Sequence, residues 1–228
     1  MMPENLRILG VVFDLDDTLV AERDYVRSGY AAVAEHVRRL TGRSDEFEEW
    51  LWQRFLGGQS EGALGAMNAA FGLRLNGQVQ ELIKVYREHV PAIRAIDGMP
   101  SLLAGLHETR RLGLLSDGFL PGQRLKLAAL RLERFFDAVV FTEELGRSAW
   151  KPAPHGYELM AAMLDLPQRT CAYVADNPAK DFISPNRLGW RTIQIVRPGQ
   201  VHSHKPPPPN GAPQHVARSI AELAAALS

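Results

Sequence analysis

Short apolar, largely β-branched runs recur along the chain at residues 8–13, 112–115, 138–141, 171–175 and 192–196. Segments with the helical period separate most of them, which is the alternating βα pattern. Strands that are apolar throughout imply a parallel sheet covered on both faces. The predicted class is therefore α/β, with a doubly wound, Rossmann-like parallel sheet as its core. In such a sheet ligands gather at the carboxyl ends of the strands.

About ninety residues separate the first two runs, whereas an ordinary crossover needs loops of about 2–6 residues around one helix. Something is inserted there. Val26, Tyr30, Val33, Val37 and Leu40 fall at steps of four and three, the stripe of an amphipathic helix, and Gly42 follows as a C-cap. Further helices are predicted near residues 45–55, 61–71 and 78–89. The expected organisation is a core domain of residues 1–19 and 96–228 with a helical cap domain of residues 20–95, since an insertion in a surface loop costs little closure entropy. Residues 197–214, which include Lys205-Pro206-Pro207-Pro208-Pro209-Asn210-Gly211, form a proline-rich loop. Ser219 and Glu222 then open a last helix with capping-box spacing.

Hydrophobic residues make up 46% of the chain and charged residues 23%, the balance of an ordinary globular protein. Lys plus Arg and Asp plus Glu both total 26, so no net field draws the chain to nucleic acid or to an anionic membrane. Neither partner is expected, and an anionic ligand has to be bound locally. No apolar stretch approaches the roughly 20 residues of a membrane span. The first residues lack the basic and then apolar pattern of a secretory signal, so a cytoplasmic location is expected. Cys171 is the single cysteine and lies in an apolar run, where it reads as a buried thiol. Oligomeric state is not encoded in these patterns.

The first run leads directly into Asp14-Leu15-Asp16-Asp17-Thr18, and three acids at that point cannot belong to a core. The second run ends in Ser116-Asp117-Gly118, the third is followed by Trp150-Lys151-Pro152, and the fourth ends in Asp176-Asn177-Pro178-Ala179-Lys180-Asp181. All four lie where a doubly wound sheet gathers its ligands. His202 and His204 flank Ser203 in the proline-rich loop without a third ligand in register, and they are set aside as a metal pair. Arg23, Tyr25 and Arg27 read as a solvated face with Tyr25 in the core.

These four motifs, in this order, resemble those of the haloacid dehalogenase superfamily, and specifically its phosphatase branch. The resemblance spans nearly the whole chain, and the long helical insertion is similar to that family's cap between the first and second motifs. Ala175 stands where the fourth motif often has glycine, and Ser116 replaces the commoner threonine while keeping the hydroxyl. The resemblance implies a Mg²⁺-dependent phosphatase acting on a small phosphorylated metabolite such as a sugar phosphate or nucleotide. It implies Asp14 as the nucleophile that carries an aspartyl-phosphate, and Asp16 as general acid and base. Ser116 and Lys151 would hold the phosphoryl oxygens. Mg²⁺ would take Asp14, the backbone carbonyl of Asp16, Asp176 and Asp181, with Asp181 acting on the water shell or on Lys151.

Asp16 separates phosphoryl chemistry from dehalogenation, because a departing halide needs no proton. A phosphomutase differs only in the hydroxyl that receives the phosphoryl group, and that alternative stays open. A signalling receiver domain is also doubly wound and phosphorylated on aspartate. It carries that aspartate on a later strand, however, and needs about half this length.

Overall fold

The computed structural model describes residues 7–75 and 77–228; residues 1–6, assigned above to the core domain, lie outside the described residues. The strands are β1 (Gly10–Phe13), β2 (Arg111–Ser116), β3 (Ala138–Phe141), β4 (Cys171–Ala175), β5 (Arg191–Ile195) and β6 (His215–Ala217). The helices are α1 (Glu22–Thr41), α2 (Phe47–Leu56), α3 (Ala63–Ala70), α4 (Val79–Glu88), α5 (Met99–His107), α6 (Gly122–Leu130), α7 (His155–Met163), α8 (Ile183–Arg187) and α9 (Ile220–Leu227).

All six strands join one parallel sheet in the order β3-β2-β1-β4-β5-β6. Five of them coincide with the predicted apolar runs to within two residues. The sixth has no such run: β6 is three residues long, with only Ala217 buried, and pairs at the sheet's edge with β5. The chain starts in the middle at β1, moves outward through β2 and β3, and then returns to the other side of β1 at β4. The strand order therefore reverses between β1 and β4, the crevice in which open α/β sheets bind their ligands.

Strand alternation distributes the core. Cys171, Tyr173 and Ala175, two residues apart along β4, pack with Val12 and Leu115 against Tyr157, Met160 and Ala161 of α7. Phe182 and Trp190 complete that layer, and Trp190 donates its indole N–H to the Gln168 side chain. Each fully buried side chain of this size contributes roughly 1.5–3 kcal/mol relative to exposure. The lone thiol of Cys171 belongs to this layer, and burial pushes it up to about 11, which makes it inert as a nucleophile. On α9, Ser219 Oγ accepts the Glu222 N–H at 3.1 Å, while the Glu222 carboxylate accepts the N–H of Arg218 at 2.8 Å. The cap is thus a capping box with its return bond moved one residue outward.

The chain divides into two compact units. One holds the stretch ending at Arg23, Arg94–Phe119 and Leu130–Ser228; the other holds Asp24–Ile93 and Leu120–Ala129. The second is helical and has its own core, built from Val33 and Val37 of α1, Phe47 and Leu51 of α2, Met67 of α3 and Leu82 of α4. The α1 stripe is buried from Val26 to Val37 but ends a turn early, because Leu40 is 50% exposed. Gly42 closes the helix in the left-handed region, with its N–H donating to the Arg38 carbonyl at 2.8 Å. Residues 120–129 join this unit through α6, whose Lys126 ammonium lies 3.9 Å from the Tyr25 ring centre. No helix among the described residues is long and apolar enough to cross a membrane.

Candidate active site

The register of β1 against β4 sets the site. Phe13 pairs with Val174, and the next residue, Asp14, donates its N–H to the Val174 carbonyl at 2.9 Å. The chain then turns tightly: the Leu15 carbonyl accepts N–H groups from Leu19 at 2.9 Å and Val20 at 3.3 Å, with Asp17 in the left-handed region at φ 53°. Asp16 is half-buried within this turn. Ile96 donates to the Leu19 carbonyl at 2.9 Å, and Val20 bridges Ala95 in antiparallel fashion, so the insertion leaves and re-enters the core unit at one place.

Beyond β4 the chain closes a second turn. Asp181 Oδ2 accepts the Asn177 N–H at 3.0 Å, and the Asp181 N–H donates to the Asn177 carbonyl at 3.0 Å. Tyr157 donates its hydroxyl to the Asp181 carbonyl at 2.8 Å, and Gln194 holds the Asp176 carbonyl at 2.9 Å. Both acids are thereby fixed at the end of a strand buried on both faces.

Lys151 reaches this group from the segment after β3. Its Nζ lies 2.6 Å from Asp14 Oδ1, 3.0 Å from Tyr173 Oη and 3.0 Å from Asp181 Oδ1, the last as an ion pair outside hydrogen-bonding direction. Its backbone N–H donates to Asp117 Oδ1 at 3.1 Å. Asp117 also accepts Thr142 Oγ1 at 2.8 Å and Lys180 Nζ at 2.7 Å, so one buried carboxylate joins the segments after β2, β3 and β4. Ser116 ends β2 with its buried hydroxyl donating to the Asp117 carbonyl at 3.2 Å.

The charges explain one another. Burial pushes the Asp14 carboxyl up from 3.8 to about 7, with Asp181 adding to the rise and Lys151 opposing it. Burial pushes Asp176 further, to about 9, reinforced by Asp181 and Asp14. For Lys151 burial acts toward neutrality, but Asp14 and Asp181 outweigh it and hold the ammonium well above its ordinary value. Burial also opposes ionisation of Asp117; the charges of Lys151 and Lys180 and the hydrogen bonds it accepts overcome that and hold it below its ordinary value. Fully ionised, Asp14, Asp176 and Asp181 would carry more negative charge than Lys151 alone neutralises.

That excess, and the geometry, suit a metal ion. One carboxylate oxygen from each of Asp14, Asp176 and Asp181 lies within 4.8 Å of the others. Asp176 Oδ2 and Asp181 Oδ1 are buried without a hydrogen-bond partner, and buried carboxylate oxygens without one normally answer to an ion or water. The donors are all oxygen, the set preferred by hard divalent cations. Asp16, enlisted by the resemblance through its backbone carbonyl, contributes no carboxylate to this group.

Asp14, Lys151, Asp176 and Asp181, read from three separate stretches of sequence, thus meet in one cluster, with Asp16 and Ser116 at the adjoining strand ends. Three further residues belong to its framework. Asp117 and Lys180 stand inside the motifs quoted above, so a charge flanking each motif was their signal. Tyr173 lies within a continuous apolar strand, and nothing in its sequence context marks its hydroxyl. His202, pushed down to about 4 by burial and then by Lys205 and Lys180, is a neutral imidazole 3.6 Å from Glu22 and stands outside the carboxylate group. Arg27 pairs with Glu48 and Glu49 in the helical unit, and Tyr25 is buried there.

The model of the haloacid dehalogenase-like hydrolase family matches residues 11–195. A glyceraldehyde 3-phosphate phosphatase of Methanocaldococcus jannaschii is 25% identical over 213 residues, 83% of this chain and 86% of that protein. An N-acylneuraminate-9-phosphatase of Mus musculus is 29% identical over 132 residues, 58% of this chain and 51% of that protein. In fold, the chain is similar to the HAD-hydrolase YfnB of Bacillus subtilis, solved bound to magnesium, with a TM-score of 0.69 at 19% identity over 97% of this chain and 99% of that one. The family match takes in all four strand-end motifs, and the same strand order carries them: the chain belongs to the haloacid dehalogenase-like hydrolase family.

Proposed function

We propose that this enzyme is a Mg²⁺-dependent phosphatase that hydrolyses a small phosphomonoester, a sugar phosphate foremost, through an aspartyl-phosphate on Asp14. The chain is a phosphoric monoester hydrolase of its family, in keeping with relatives that are phosphatases. The observation that carries the reading is the buried cluster in which Lys151 touches Asp14 and Asp181 beside Asp176, at the carboxyl ends of the central strands. A sugar phosphate is favoured because the two relatives are named for phosphorylated sugar-type molecules.

Asp14, Asp176, Asp181 and the Asp16 carbonyl would hold Mg²⁺, which when bound would supply the positive charge that a dianionic phosphoryl group needs before an anion can approach it. Asp14, buried at the end of β1, attacks phosphorus, and the ester P–O bond breaks. Asp16 gives its proton to the leaving oxygen and then takes one from the water that attacks the aspartyl-phosphate, returning Asp14 as a carboxylate. Lys151, fixed as a cation, and the Ser116 hydroxyl stabilise the equatorial phosphoryl oxygens. Asp117 and Lys180 position Lys151 through its backbone. Residues 20–95 are proposed as the cap that selects the leaving group, because the four motifs read only the phosphoryl end.

Phosphate release from a panel of sugar phosphates and nucleotides tests the reading, with acid-quench trapping of phosphoprotein in parallel. Hydrolysis of a small ester with phosphate trapped on Asp14 is expected. Release that persists undiminished in Asp14→Asn would sink the assignment.

A further inference from the structure

We propose that Asp17 and the segment after β5 form a latch that positions Asp16 for proton transfer, an inference that rests on the phosphatase reading. Asp17 has no part in the chemistry above, yet it is 2% exposed and sits in the left-handed region at φ 53°. Every acceptor it has is used. Oδ1 accepts the Glu22 N–H at 2.9 Å and Oδ2 accepts the Val201 N–H at 2.6 Å. Its carbonyl accepts Arg197 Nη2 at 2.6 Å and Gln200 Nε2 at 2.7 Å.

The donors are themselves braced. Gln200 Oε1 accepts the Arg197 N–H at 2.6 Å, and Gln200 Nε2 also reaches the Ile195 carbonyl, the last residue of β5, at 3.1 Å. Gln194, one residue back along β5, donates both to the Asp176 carbonyl at 2.9 Å and to the Ser203 carbonyl at 3.0 Å. The opening of the proline-rich loop is therefore stitched to both aspartate-bearing turns. Two donors on the Asp17 carbonyl fix the peptide plane that follows it, and two on its carboxylate prevent the turn from relaxing. Asp16 is the preceding residue in that turn. A proton donor must be held to roughly 0.5 Å and 10–20° to act, which a short turn cannot secure alone.

Arg197 and Gln200 act through Asp17 and touch no reacting atom, so they are positioning residues. The test separates positioning from folding by the leaving group, because an acid matters when a poor leaving group departs and little when p-nitrophenolate does. In Gln200→Ala we expect the Asp14 phosphorylation step to slow about 10- to 100-fold with an alkyl phosphate and less than about 3-fold in the p-nitrophenol burst, in line with the usual worth of a misplaced general acid. Arg197→Lys should retain more alkyl-phosphate turnover than Arg197→Ala. Amide exchange at residues 15–19 should quicken in Gln200→Ala at an unchanged thermal midpoint. Equal losses with both esters, or unaltered exchange in that turn, would overturn the latch. Should the wild-type enzyme hydrolyse no phosphomonoester, the phosphatase reading fails, and the exchange measurement alone decides whether the turn is latched.

Discussion

Replacing Lys151 by Met tests the electrostatic account of the site most directly. Met keeps most of the apolar stem and removes the charge together with the hydrogen bonds that Lys151 Nζ donates to Asp14 and Tyr173. Lys151 Nζ lies 2.6 Å from Asp14 and 3.0 Å from Asp181, with the lysine side chain 1% exposed. At an effective dielectric near 20, and with both carboxylates ionised, those pairs are worth about 6 and about 5.5 kcal/mol of attraction, against desolvation of several kcal/mol per ion. Removing one partner of such a buried group leaves uncompensated charge and costs about 3–5 kcal/mol, a large part of a typical total stability. The loss should depend on pH. Asp14 and Asp176 have folded values raised by burial to about 7 and about 9, so their stabilising protonation is present at low pH and lost as pH rises through those values. Near pH 5 both acids hold protons and the variant loses less; near pH 8 Asp14 is ionised and it loses more. Urea unfolding in chelator at both pH values, followed by tryptophan fluorescence, reads the midpoint shift. A loss below about 1 kcal/mol near pH 8, or one that ignores pH, would refute the reasoning.

Asp14→Asn and Asp16→Asn should each lower turnover by about a thousandfold or more with an unchanged circular dichroism spectrum, since each removes a chemical step. For Asp16→Asn the damage should grow with the leaving-group pKa across a series of aryl phosphates, and a flat series would contradict the acid role. Activity should require Mg²⁺, fall away in chelator and be inhibited by Ca²⁺, whose larger and looser shell misplaces the nucleophile. In calorimetric titration Asp176→Ala should weaken Mg²⁺ binding more than Asp181→Ala, because Asp181 is already engaged by Lys151 and the Asn177 N–H; the reverse order would exchange their roles. Metal-free protein should melt lower near pH 9 than near pH 5, following the raised values of Asp14 and Asp176, and Mg²⁺ should remove most of that slope. Differential scanning fluorimetry across pH reads it, and an equal slope with and without Mg²⁺ would argue against binding at these acids.

The alternation of apolar strands and helices was legible in the sequence because burial on both faces leaves a run of Val, Ile, Leu and Ala that no exposed segment tolerates. Ala138–Phe141 and Cys171–Ala175 were readable to the residue for that reason. The acids at the strand ends were legible too, because charge directly after such a run has no core to enter. Edge and capping details were less so. His215–Ala217 is held in the sheet by its pairing with β5, without a hydrophobic pattern of its own, and Leu40 continues a helical stripe past the point where neighbours exist to cover it.

What needed the tertiary structure is whatever depends on distance between residues far apart in the chain. The sequence names Asp14, Lys151 and Asp181, but 137 positions separate the first two, and only the 3-2-1-4 strand order brings Lys151 to 2.6 Å from Asp14. The raised carboxyls follow from that crowding and burial, which no linear pattern contains. Tyr173 reads as one more core residue until its hydroxyl is found 3.0 Å from the lysine. The proline-rich loop reads only as a loop until Arg197, Gln200 and Val201 are found on Asp17, more than 180 positions away for the last two. Local composition determines which segments can be strands, helices and turns, because those are short-range preferences. Which turns meet, and what charge they then share, is decided by the packing of the whole sheet.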